Sequence, residues 1–201
     1  DPVLLVARRQ TAGRGRVGRG WVSSPDASLT FSLGLPLEPA DWSGLSLAVG
    51  VSLAECLHPR VRLKWPNDLW VGERKLCGIL IETATFAGQA PGGKRYAVIG
   101  VGLNVRAQPV EGLSVPPACL EELDPQLDAE GALHQIAIPL LATAQAFESL
   151  GFLPFQARFA ARDALREREV VLSDGMRGTA CGVSETGALL VHTAAGMQVV
   201  S

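Results

Sequence analysis

With 201 residues, 47% of them apolar, the chain is long enough to bury roughly 70% of its unfolded surface in one substantial core, with room for a small second domain. A formal net charge of −2 offers no broad basic face for nucleic acid, and the longest mostly apolar run, 45–57, holds serines and a glutamate and is too short to span a bilayer. Cys56, Cys77, Cys119 and Cys181 form no Cys-x-x-Cys pair and only three histidines accompany them, which indicates neither a zinc site nor a disulfide framework and fits a reducing, cytoplasmic setting.

In chain order, "VLLVA" (3–7) predicts a short buried strand, followed by a long glycine- and arginine-rich loop. "SLTFSLGL" (28–35) alternates like a second strand, and 43–57 carries a helical pattern. Segments 60–65, 69–71 and 75–82 read as strands separated by the turns "PND" and "GER", the last two forming a hairpin. After the loop "AGQAPGGK", a strand is expected over 95–105; proline-rich 108–117 is loop again. Leu133, Ile136, Leu140, Ala144 and Phe147 then recur at helical steps, with Pro139 implying a kink or a displaced start. A shorter helix is expected over 155–165. From Glu169 on, short β segments are punctuated by Asp174-Gly175, Thr186-Gly187 and Ala195-Gly196, the pattern of a small β-barrel. The class is therefore α+β, with an all-β appendage. The chain starts at Asp1 without signal-like residues and stops at Ser201 within a strand-like segment, so both ends read as trimmed.

The loop "QTAGRGRVGRGW" (10–21) concentrates basic charge in an otherwise slightly acidic chain. Gly13, Gly15 and Gly18 satisfy the glycine spacing of a dinucleotide-binding turn, but that turn must open a helix, and "WVSSPDAS" follows instead. A P-loop requires lysine and Ser/Thr after its last glycine, where this chain has Trp21. A disordered arginine–glycine RNA-binding segment is normally repeated, and this one is a single short copy between apolar strands. What remains is a loop folded over an anion, its glycines admitting close backbone N–H groups and Arg14, Arg16 and Arg19 offering forked donors.

A second charged cluster, Lys64, Asn67, Asp68 and Lys75, lies in the otherwise apolar "KWPNDLWVGERKLCGILIE" (64–82), an expensive place for charge without ligands or partners. Together with "VIGVGLN", these two segments resemble, in order and spacing, the signature segments of the biotin protein ligase family, over nearly the whole chain. The resemblance implies a mixed-sheet catalytic domain of the biotin/lipoate ligase type over 1–166 and an SH3-like β domain over 167–201. It further implies that biotin and ATP form biotinyl-5′-adenylate, with Mg²⁺ accompanying ATP and no protein metal cluster. A lysine of a biotin-carboxyl-carrier domain then takes the biotinyl group. Residue by residue, it places Lys75 and Arg16 as charge stabilisers and Asp68 as the acid–base or charge-orienting group. Gln10, Arg14, Gly15, Arg16, Lys75 and Gly78 fall on the biotin side, and Arg16, Arg19, Trp21, Asn67 and Asn104 on the nucleotide side, with Gly102 leaving room for ligand. Chemistry agrees, since a carboxylate attacking a phosphate needs fixed cations.

Two departures stand out. The family's Ser-Thr-Asn segment, which meets the biotin ring, would lie upstream of Asp1. Cys77 stands two residues after Lys75, on what alternation predicts to be the same strand face; lipoyl and octanoyl transferases of the same fold use a Cys–Lys pair. A transferase of that kind is thus one alternative. Another is a biotin-responsive transcriptional regulator, if a DNA-binding segment lies upstream. No nucleic-acid or membrane partner is expected within this chain, and a homodimer is left open.

Overall fold

The structure, a computed structural model, describes residues 1–18, 20–84, 95–108, 116–172 and 174–201. Strand β1 (Val3–Ala7) is followed by a miniature hairpin, β2 (Gly13–Arg14) and β3 (Gly20–Trp21), and by the long β4 (Ser28–Leu37). Helix α1 (Leu45–Leu57) leads into β5 (Arg62–Lys64), β6 (Asp68–Val71), β7 (Arg74–Ala84) and β8 (Arg95–Asn104). Helices α2 (Ala129–Leu150) and α3 (Leu153–Ala160) precede β9 (Glu169–Val171), β10 (Arg177–Val183), β11 (Leu189–Thr193) and β12 (Gly196–Val200).

Six strands form the main sheet in the order β1-β4-β8-β7-β6-β5. Its strand pairs are antiparallel, and the sheet is mixed only through a parallel bridge between Leu63 and Asp163. Leu29, Phe31, Leu33, Leu35 and Leu37 of β4 alternate onto one buried face, which the helices cover. Helix α1 packs against the sheet on one side and α2 and α3 on the other, so it is buried almost all round. That explains its nearly unbroken apolar run. At Gly50 a Cβ would stand 2.7 Å from Leu63 Cδ2, so a side chain there would force the buried Leu63 to shift.

Several expectations change at element scale. The strand 3–7 is real, but Val3, Leu4, Leu5 and Val6 are exposed rather than buried, because β1 is an edge strand paired only with β4. Helix α2 contains Pro139 eleven residues after Asp128, whose side chain caps the helix by accepting from Gly131 N–H at 2.8 Å; the start is not displaced by the proline. Helix α3 begins two residues earlier than expected and stops five residues sooner. The C-terminal unit is a four-stranded antiparallel sheet in the order β12-β11-β10-β9. It is the small C-terminal β unit expected from the sequence; among the described residues three-residue β9 pairs with β10 and β12 with β11. No described helix is long and apolar enough to cross a membrane.

Candidate active site

The face of the main sheet opposite the helices is built from small residues. Register places Thr30 beside Gly102 beside Gly78, and Ser32 beside Gly100 beside Leu80, in successive rows across β4, β8 and β7. These rows form the floor of a cavity of about 280 Å³, lined above by Gln10, Ala12, Arg14, Gly15, Arg16 and Trp21 and bordered also by Glu82. A second cavity of about 550 Å³ lies beyond it, between the arginine loop, the β6–β7 hairpin and Pro116–Pro117. Arg16, Trp21, Asn67 and Lys75 border both. The two spaces therefore meet at a cation pair and an indole.

The roof owes its shape to its glycines. A Cβ on Gly13 would collide with the carbonyl of Trp21, its partner across the hairpin, and Gly18 takes a left-handed φ of 70°. Val17 also has φ 57°, uncommon for a β-branched residue, and its side chain is 91% exposed at the loop tip. Gln10 ties the base of the loop down, its N–H donating to Ser23 Oγ at 2.8 Å. Arg14 crosses the smaller cavity to an ion pair with Glu82 at 3.3 Å. Arg16 has no ion pair among the described residues. Arg19 lies outside the described residues.

Trp21 lies flat on the sheet floor. A Cβ at Gly102 would overlap its ring, and one at Gly78 would come within 3.5 Å of it and 3.1 Å of Lys75 Nζ. Its Nε1–H is buried without an acceptor, so a donor stands ready at the junction of the two cavities. Lys75 Nζ sits 5.8 Å from the indole centroid and 2.7 Å from Asp68 Oδ1. That ion pair spans the β6–β7 hairpin.

Backbone contacts hold these side chains. Asn67 is zipped to Ile79 in both directions, its Nδ2 donating to Ile79 O at 2.7 Å and Ile79 N–H donating to Asn67 O at 3.0 Å. Asn104 is buried, and its Nδ2 donates to Lys75 O at 3.3 Å; Ala118 N–H donates to the same carbonyl at 3.0 Å. Arg74 is held by a two-pronged contact to Glu122, whose carboxylate also accepts from Cys119 N–H. The guanidinium holds the Glu122 carboxyl below its usual range.

One strand-face expectation is overturned. The β6–β7 register slips between Leu69 and Trp70, so Trp70 pairs with Lys75 while Leu69 pairs with Cys77, leaving Leu76 as the extra residue of a bulge. Lys75 and Gly78 therefore share the cavity face, whereas Leu76 and Cys77 turn into the core, fully buried. Burial pushes the Cys77 thiol far above its ordinary pKa, the opposite of what a nucleophilic thiol needs.

Every expected site residue that the structure describes borders one or both cavities. Sequence reasoning passed over Thr30, Ser32, Gly100 and Glu82 in the smaller cavity, and Glu73, Arg74 and Gln108 in the larger one. The alternation in "SLTFSLGL" carried a signal for the first two: its polar and small residues occupy one face. Among the described residues no group of three His, Cys, Asp or Glu is arranged to hold a metal.

A family model described as the biotin/lipoate A/B protein ligase family matches residues 1–104. The bifunctional ligase/repressor BirA of Escherichia coli (strain K12) is 37% identical over 198 residues, covering 93% of this chain and 60% of that protein. The biotin--[acetyl-CoA-carboxylase] ligase of Paracoccus denitrificans is 32% identical over 215 residues, covering 98% of this chain and 86% of that one. Among solved structures, a biotin protein ligase from Aquifex aeolicus in complex with biotin and ATP matches with a TM-score of 0.81 at 29% identity, covering 98% of this chain and 84% of that chain. The chain spans about 60% of the length of the BirA proteins of E. coli and Salmonella typhimurium.

Proposed function

The chain belongs to the biotin/lipoate A/B protein ligase family, and from that premise we propose that it joins biotin to ATP and passes the biotinyl group to a lysine of a biotin-carboxyl-carrier domain. The observation that carries this reading is the meeting of two cavities at Lys75 and Arg16. The smaller, glycine-floored space suits a compact bicyclic acid, and the larger suits a nucleotide. In the first step a carboxylate oxygen of biotin bonds to the α-phosphorus and pyrophosphate leaves. Lys75 and Arg16 offset the repulsion between the two anions and the charge that develops on the phosphate oxygens. In the second, the carrier lysine nitrogen bonds to the acyl carbon and AMP leaves.

Asp68 has a role in each step. In the structure it neutralises Lys75. Once the adenylate phosphate draws Lys75 towards itself, the Asp68 carboxylate is released to orient the carrier lysine and take its proton. Trp21 offers its face to the adenine, Asn67 and Asn104 border the nucleotide space, and Gln10, Arg14, Gly15 and Gly78 enclose the biotin. The carboxylates bordering the larger cavity, Asp68 and Glu73, are each paired with a cation. Mg²⁺ would accordingly be held by the triphosphate and its own waters rather than by these carboxylates. In this reading residues 1–166 form the catalytic unit and 167–201 a separate β unit, working in the cytoplasm.

The turn of Cys77 into the core argues against a Cys–Lys transferase. The decisive assay is biotin-dependent ATP–pyrophosphate exchange by wild type and Lys75→Ala. Losing the charge beside the developing phosphate anion lowers the rate on the order of 10²–10³-fold. Near-normal exchange by the alanine variant would remove Lys75 from the mechanism.

A further inference from the structure

Two contacts tie the C-terminal sheet to the strands that carry the site, and both lie beside the Asp68–Lys75 pair. Trp65, directly before the Pro66–Asn67–Asp68 turn, donates its Nε1–H to Gly187 O at 3.0 Å. Its ring packs against both the main hydrophobic cluster and the small one inside the C-terminal sheet. Gly187, in the β10–β11 turn, has φ 84°, and a Cβ there would stand 2.8 Å from Gly44 Cα. Two backbones touch where no side chain fits. At the opposite end of the β6–β7 hairpin, Arg168 Nη1 donates to Glu73 Oε1 at 2.7 Å and to Oε2 at 2.9 Å.

Glu73 lies two residues before Lys75 on the rim of the larger cavity. Between the two contacts the chain entering the C-terminal sheet runs beside β5: Leu63 N–H donates to Arg162 O and Ala164 N–H to Leu63 O, both at 2.8 Å. Neither Gly187 nor Arg168 borders either ligand cavity. Whatever they contribute to the reaction passes through the residues they hold.

On the ligase reading above, we infer that the C-terminal sheet is a positioning clamp: Gly187 and Arg168 fix Trp65 and Glu73, and so fix both ends of the hairpin that presents Asp68 and Lys75 to the reacting phosphate. The floor of the smaller cavity rests on β4, β8 and the part of β7 beyond Lys75, where Gly78 and Leu80 are held by their pairing with β8 rather than by these contacts. Loosening the clamp misplaces charge without dismantling the biotin space, so turnover falls while the KM for biotin holds. Displacement of a reacting group by about 1 Å costs up to about 10²-fold in rate.

The test is biotin-dependent ATP–pyrophosphate exchange by the full chain, normalised to the fraction of protein that binds biotin. Gly187→Ala forces the two backbones apart and lowers kcat about tenfold, with the KM for biotin within about twofold of wild type. Trp65→Phe keeps the ring and removes only the donor; its kcat falls about threefold. Glu73→Arg and Arg168→Glu each set like charges facing one another and lose about threefold, modest because the pair is exposed, and the double reversal recovers most of the loss. Should Gly187→Ala fail to fold, Trp65→Phe and the charge reversals decide. Wild-type kcat in these variants, a KM for biotin that rises as kcat falls, or a double reversal no better than the single ones would overturn the clamp and leave the ligase reading standing. A wild type without biotin-dependent exchange would remove the ligase reading and the clamp with it.

Discussion

Lys75 and Cys77 are two positions apart and chemically opposite, and the difference comes from one unpaired residue. Alternation places them on the same face; the bulge at Leu76 sends the ammonium to the cavity and the thiol to the core. Cys77→Ala is therefore expected to keep full exchange and transfer activity while losing about 1 kcal/mol of stability for the missing sulfur; activity loss with intact folding, measured beside the thermal midpoint, would make the thiol a participant. Glu122 gives a second prediction at this scale. Arg74 lowers its carboxyl pKa below the ordinary value of 4.5, so the folded state favours the ionised form. That contribution is present above about pH 4.5 and is lost as pH falls through the lower folded value. Glu122→Gln should flatten the acid limb of a thermal-midpoint profile below that pH, whereas an unchanged limb would deny the pair any part in acid stability. Lys75, Asp68 and Trp21 were legible in sequence because they are charged or bulky residues at motif positions. Glu82 and Glu73 were not, because their meaning depends on Arg14 and Arg168, which are 68 and 95 residues distant along the chain.

In the proposed reaction the arginine loop is the element on which retention of the intermediate would depend. Its hairpin is pinned at Gln10 and at the Gly13–Trp21 pair, while Arg16 at the turn borders both cavities and has no ion pair among the described residues. Arg16→Gly should release biotinyl-adenylate on the order of 10–150-fold faster, the equivalent of losing one charge-assisted contact of about 1.5–3 kcal/mol, with adenylate synthesis slowed but not abolished because Lys75 remains. Covalent biotin on a bystander protein that lacks any carrier sequence reads out the escape. A variant that makes adenylate yet labels the bystander no more than wild type does would show that the loop does not retain it. Most elements were legible because the apolar period changes cleanly from two in β4 and β8 to three and four in α2. The exposure of β1 was hidden, since an apolar edge strand and an apolar buried strand share one pattern. The β6–β7 slip was hidden too: a bulge adds no residue type of its own.

At the scale of the whole molecule, one sheet does two jobs with its two faces. The leucine and phenylalanine face anchors the helices, and the glycine, serine and threonine face is the floor of the reaction space. The loop roofs that space, the β6–β7 hairpin brings its charges in from the side, and the C-terminal sheet grips the hairpin from behind. That division of labour would bring residues as distant as Gly13 and Gly187 into one reaction, the proposed activation of an acid and its transfer to a protein lysine. The most direct test is the mass of an isolated biotin-carboxyl-carrier domain after incubation with this chain, biotin and Mg·ATP. The expected result is the added mass of a single biotinyl group on the acceptor lysine, dependent on biotin and ATP together and lost in Lys75→Ala. An unmodified carrier, or a carrier modified when octanoate or lipoate replaces biotin but not by biotin itself, would contradict it.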